Sequence, residues 1–162
     1  MREGVNLPPA TKIRRPEMAY TLAAPITKKF KLEEADETGE TTVTFRQASV
    51  REDEARASLM ADQVYSWDDE QRGKVERRTR WSWAELHRLE VQMTMDACDI
   101  MVEKGEDKDG NPSLSPLFKF HRKGIAMSES QFMDAWGQLP SSISRELIMY
   151  CHEVNPDWRV VA

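Results

Sequence analysis

The chain has 162 residues, 40% of them hydrophobic and 31% charged, with a formal net charge of −5 and a pI near 5.3. That length suits one domain with a core large enough to need no disulfide or metal staple, and the acidic balance argues against a chain whose main task is to coat nucleic acid. Cys98 and Cys151 lie in helix-like, partly apolar contexts and read as small core residues of a reducing compartment, while no apolar run approaches the length of a membrane span.

Residues 1–19 carry Pro8, Pro9 and Pro16 with Lys12, Arg14 and Arg15 between them. Proline fixes φ and biases its predecessor away from helix, so this stretch reads as an extended arm, either disordered or lying along a neighbouring subunit. Its polar start shows no signal-peptide pattern, and the expectation is synthesis in the cytoplasm. Residues 20–162 read as a single α+β domain: a β-hairpin at the N-terminal side, then a mostly helical C-terminal part. The hairpin is expected over residues 26–47. Val43 and Phe45 alternate with Thr42, Thr44 and Arg46, and an acidic link closing on Gly39 joins this strand to the preceding one.

A helix follows over residues 49–64, opened by a Ser49 and Glu52 capping box. Val50, Ala57, Met60, Ala61 and Val64 share one of its faces. Residues 68–80 are charged, contain Gly73 and lack an apolar stripe, so they read as a solvated linker. Arg72, Lys74, Arg77, Arg78 and Arg80 within it could meet phosphates, but acidic neighbours largely balance them, and nucleic acid is not expected as a partner. A second capping box at Ser82 and Glu85 opens the strongest predicted helix, over 83–102. It has two apolar stripes, Trp83, Leu86, Leu89, Met93, Ala97 and Ile100 on one side and Val91, Met95, Cys98 and Val102 on the other. A doubly striped helix is sandwiched between two layers, and a methionine-bearing stripe also suits an adaptable binding surface.

Residues 103–116 read as a loop. Asp107, Asp109 and Gly110 resemble part of a calcium loop, but in that alignment Gly105 takes the first ligand position and Pro116 the place of the bidentate glutamate, so a plain turn is expected. Leu117, Phe118 and Phe120 read as a short strand or an apolar anchor. Ser128 and Gln131 open a short helix over 128–136, with Gly137 to stop it. The last helix, over 141–154, ends before Pro156. Ile143, Leu147, Tyr150, Cys151 and Val154 form its inner stripe, and Ile148 and Met149 fall outside that stripe as candidates for a second contact.

Chemistry-bearing patterns are sparse. His152 follows Cys151 directly, and adjacent helical positions do not point at one metal. His87 lies three residues before Glu90, a spacing that suits either a catalytic pair or a satisfied polar group at a core edge. No nucleophile elbow, phosphate loop or zinc-ligand spacing is present. The expectation is a chain with no catalytic residues, no metal and no cofactor. Its tentative protein-binding residues are Val91, Met95, Val102, Ile148 and Met149.

Leu22, Ala23, Ala24, Pro25 and Ile26, followed by Val43, Thr44, Phe45, Arg46, Gln47, Ala48, Ser49 and Val50 entering a helix, resemble the phage tail assembly chaperones of the Mu-like and P2-like kind. In that family a Pro-Ile opening leads to a strand with an arginine at its exit and then to an acidic helix. Gln47 stands where the family usually carries an acid, and Ala48 where it carries proline. Phe132 to Pro140 and Glu153 to Trp158 are similar in style. The resemblance implies a non-enzymatic helper, made in the cytoplasm of the infected host cell, that binds the helical tape-measure protein and helps recruit tail-tube subunits. The alternative is a structural virion protein, in the tail, neck or capsid, whose arm grips neighbouring virion subunits. Self-association into a homo-oligomer is compatible with both.

Overall fold

The computed structural model describes residues 22–36, 39–61, 63–67, 75–79, 82–122 and 124–159. The proposed arm over 1–19 and, of the charged 68–80 stretch, residues 68–74 and 80 lie outside these residues. The architecture is α+β, with small antiparallel sheets and four α-helices among the described residues.

The hairpin forms where the alternation places it. Strands β1 (Thr27–Lys31) and β2 (Thr42–Arg46) pair antiparallel with Phe30 opposite Val43. Phe30, Val43 and Phe45 face the core, while the lysines of β1 are exposed. A lone hairpin is marginal in water, and this one gains a third strand, β5 (Met95–Cys98), on the far side of β2. The loop of the hairpin is anchored from below, because the backbone N–H groups of Glu33 and Glu34 donate to the two carboxylate oxygens of buried Glu146 at 2.7 and 3.0 Å.

Helix α1 (Val50–Ala61) starts at the expected capping box, with Ser49 and Glu52 exchanging backbone hydrogen bonds. The expected apolar face is corrected. No residue of α1 is buried, and Val50 is one of the most exposed aliphatic side chains. Polar contacts attach the helix instead. Arg46 forks onto Glu52, Arg56 Nε donates to Glu90 at 2.7 Å, and Trp158 Nε1 donates to Asp53 at 2.6 Å. The helix ends at Ala61, short of residue 64. Gln63–Trp67 (β3) then pairs antiparallel with Val75–Thr79 (β4), so a part of the stretch read as linker is a strand. Its sequence, Val-Glu-Arg-Arg-Thr, has no apolar and polar alternation by which a strand could be recognised.

Helix α2 (Trp83–Thr94) has the predicted Ser82 and Glu85 box, but it stops eight residues earlier than the periodicity implied. Beyond it the chain turns extended as β5, and its residues pair with β2 through Val43–Cys98, Thr44–Ala97 and Phe45–Met95. Asp96 is the additional residue of a β-bulge in that ladder. The bulge turns Met95 and Cys98, three positions apart, to the same buried side, which reproduces a helical spacing on a strand. The expected loop over 103–116 is also corrected. Met101–Glu106 (β6) and Pro112–Pro116 (β7) form a hairpin around a turn in which Asp107 Oδ1 accepts from the N–H groups of Asp109 and Asn111. Nearly every residue of this hairpin is exposed, so no burial alternation marks it in the sequence. Leu117 and Phe118 are the apolar anchor, and Phe120–His121 (β8) and Gly124–Ile125 (β9) make a minimal pair.

Helix α3 (Glu129–Gly137), with its Ser128 and Gln131 box, and α4 (Ser141–Val154) fall where expected, and a 3₁₀ turn (Pro156–Trp158) follows. The core lies between the three-stranded sheet and the helices. Phe45, Phe118, Phe132, Leu32, Leu86, Met95 and Leu147 are its largest fully buried apolar members. Cys98 and Cys151 are buried free thiols, as expected of small core residues. Burial pushes them up to about 11 and about 12 respectively, so neither is a thiolate at neutral pH.

Candidate functional site

Two places in the fold concentrate charged groups, and they differ in what they can do. The first is the exit of β2, which carries the arginine of the motif block. Arg46 donates from its two terminal nitrogens to Glu52, from Nε to Asp96 at 3.1 Å, and to the carbonyl of Met93. It therefore joins β2, the start of α1 and the end of α2. Glu52 is held below the usual carboxylate range, because its hydrogen bonds to Arg46 and Ser49 outweigh the burial that would raise it. Asp96 goes the other way and is raised, with burial ahead of its pairing to Arg46. Every donor of Arg46 that faces the protein is engaged, and the arrangement is a latch between elements.

The second place lies between α2 and α4. On α2, Leu86, Glu90, Val91 and Thr94 are buried, and His87 sits one position aside with its ring 6.0 Å from that of Trp83. On α4, Cys151 packs its sulfur 3.3 Å from the Thr94 hydroxyl, and the next residue, His152, meets Glu90. Adjacent residues of one helix point about 100° apart, so Cys151 can enter the core while His152 stays at its edge. Glu90 is fully buried. Arg56 Nε donates to its Oε1 at 2.7 Å, and His152 Nε2 lies 2.5 Å from its Oε2. Burial alone would raise Glu90, but the hydrogen bonds from His152 and Arg56 prevail and hold it ionised below the ordinary range. His87 is lowered, first by burial and then by the positive charges of His152 and Arg56, against the pull of Glu90.

An open cleft of about 540 Å³ lies over this cluster, lined by Trp83, His87, Ile148, Met149, His152 and Arg159. Trp83 is 47% and Met149 54% exposed. The cleft thus offers an apolar floor and wall, two imidazoles and one cation at its rim. Among the described residues that line it none carries a hydroxyl or thiol, and Cys151 and Thr94 are turned into the core.

The expected binding residues separate into three places. Ile148 and Met149 are brought together in this cleft. Val91 and Met95 are corrected, because both are fully buried and pack in the core. Of the two stripes expected on one long helix, Val91, Met95 and Cys98 of one are buried, while in the other Leu86 is buried and Trp83 opens to solvent. Val102 is partly buried beside a separate, smaller cavity next to Gln131 and Ala135, away from Ile148 and Met149. Sequence reasoning paired His87 with Glu90 on spacing and set His152 aside. Only the packing of α4 on α2 joins them, and no local pattern records that packing.

Among the described residues no helix is long and apolar enough to cross a membrane. Comparison with protein-family models, curated proteins and solved structures gave no match for this chain.

Proposed function

We propose that the protein is a non-enzymatic assembly helper that receives an apolar helical segment of a partner protein in the cleft between α2 and α4. The observation that carries this reading is the open apolar surface of Trp83, Ile148 and Met149. Contiguous exposed apolar groups with a polar rim suit a protein partner, and a groove beside two helices suits an amphipathic helix laid into it. Arg159 at the rim would meet an acidic residue of that helix. The resemblance of residues 22–26 and 43–50 to tail assembly chaperones supplies the class of partner: the tape-measure protein of a phage tail, with tail-tube subunits recruited to the complex in the host cytoplasm.

The test is Trp83→Glu combined with Met149→Glu. Both side chains are about half exposed, so the fold is retained. Truncating an aromatic anchor of an interface costs about 2 kcal/mol or more, so affinity for a co-expressed tape-measure protein falls at least about 30-fold. A folded double variant that co-purifies with its partner as well as the unaltered chain refutes the assignment.

One observation favours the alternative of a structural virion protein. Leu22 and Ile26 are 88% and 66% exposed immediately before β1, which is an edge strand of its sheet. An exposed edge with apolar residues beside it is a surface for a neighbouring subunit or a second copy of the chain. A stoichiometric place in purified mature particles decides for that reading over the chaperone.

A further inference from the structure

We propose that His87, Glu90 and His152 form a binding site for a divalent transition-metal cation of the zinc class, held between α2 and α4 and open toward the cleft. This inference does not rest on the partner-binding reading. Its basis is the donor set and its geometry. One ligand atom from each of the three residues lies within 4.8 Å of the others. Two imidazoles and one carboxylate are the three protein ligands of a familiar kind of zinc site, in which an exogenous group takes the fourth tetrahedral position.

The ring geometry agrees. With a metal–nitrogen bond of about 2.05 Å, an imidazole centroid stands about 3.2 Å from the ion, and two of them at the tetrahedral angle stand about 5.2 Å apart. The centroids of His87 and His152 are 5.3 Å apart, edge to face. Ligand atoms around such an ion are about 3.3 Å apart, so the widest pair closes by at most about 1.5 Å while His152 Nε2 and Glu90 Oε2 open by about 0.8 Å, both within reach of a side-chain rotation.

The groups around the cluster are placed for it. Glu90 gives Oε1 to Arg56, which leaves Oε2 as the metal-facing oxygen and fixes the carboxylate as an outer partner does. His152 Nε2 already lies against Oε2, where an ion would replace the shared proton. Among the described residues His87 has ring contacts with Trp83 and His152 and no hydrogen-bond partner, which frees its nitrogens for a ligand role. Both histidines line the cleft, so the fourth position faces it.

The experiment titrates the full-length, tag-free, chelator-treated protein with Co²⁺ and then displaces it with Zn²⁺. The expected result is one equivalent of Co²⁺ bound, with the visible bands of a low-coordinate nitrogen and oxygen site, lost on adding Zn²⁺. His87→Gln and His152→Gln each weaken binding at least about 100-fold, above the loss typical of outer partners. His121→Gln, on an exposed strand residue away from the cluster, leaves it unchanged. Among the described residues the His87 side chain has no hydrogen-bond partner, so His87→Gln keeps its fold by circular dichroism and remains a fair test even where His152→Gln unfolds. Failure of Co²⁺ to give such bands, or unchanged affinity in His87→Gln, overturns the site and leaves the cluster as a polar network of the core edge.

Discussion

Glu90→Gln is the sharpest probe of how α1, α2 and α4 are held together. The amide keeps the shape of the side chain and removes its charge. It also puts a donor where one of two oxygens now accepts, against either Arg56 or His152. Glu90 is about 1% exposed and Arg56 about 15%, so this pair is largely withdrawn from water. Breaking a buried pair by removing one partner costs about 3–5 kcal/mol. Arg56 is near enough to the surface to recover some hydration, which points to the lower end, about 3 kcal/mol. A chain of this length has an unfolding entropy of about 0.34 kcal/mol/K, so Tm falls by about 9 °C at neutral pH. The pH dependence is specific. The folded pKa of Glu90 is lowered, so its contribution is present above the ordinary glutamate range and is lost as pH falls through the folded value. Thermal melts of both proteins from neutral to acid pH therefore converge at the acid end. A gap below about 1 kcal/mol at neutral pH, or one that stays constant into acid, refutes the ionised, paired Glu90 on which the magnitude rests.

Leu86→Ala and Leu147→Ala, both fully buried, are each expected to destabilise by about 2–5 kcal/mol in denaturant melts, from lost transfer energy and the remaining cavity, with no pH dependence. Arg46→Lys keeps the charge but loses the fork that spans Glu52, Asp96 and the Met93 carbonyl, and costs about 1–3 kcal/mol in the same assay. The folded pKa of His87 is lowered, so the unfolded chain binds the extra proton first and stability declines as pH falls from the ordinary histidine range toward the folded value; His87→Gln removes that part of the decline in melts.

The elements with strong local signals were legible in the sequence. Three capping boxes, at Ser49, Ser82 and Ser128, each mark a helix start, and alternation marks the first hairpin. What failed depended on partners distant in the chain. Met95 and Cys98 continue a helical spacing, yet the demand of β2 for a third strand prevails, and a bulge at Asp96 makes both readings of the spacing compatible with burial. The hairpin of β6 and β7 buries almost nothing and so leaves no pattern. Two of the five expected binding residues lie in the core for the same reason: Val91 is on α2 but faces the packed side of the fold, and Met95 falls just past the end of that helix, on β5. Ile148 and Met149 do line an open cleft, because α4 is regular throughout and both fall outside its inner stripe, and Trp83, which the periodicity groups with buried Leu86, lines the same cleft.

The attachment of α1 sets an order of events within the native state. A segment with no buried residue gains little from the hydrophobic term, and its side-chain anchors through Glu52, Asp53 and Arg56 are charge-assisted. The helix can therefore lift as a unit while the sheet and the other helices stay closed, at a cost well below that of global unfolding. In hydrogen exchange its amides would form the least protected helical group, and added salt would speed them by screening the outermost pair. Each such opening withdraws Arg56 from Glu90, so the breathing of one surface helix is transmitted to the histidines on the other side of the carboxylate.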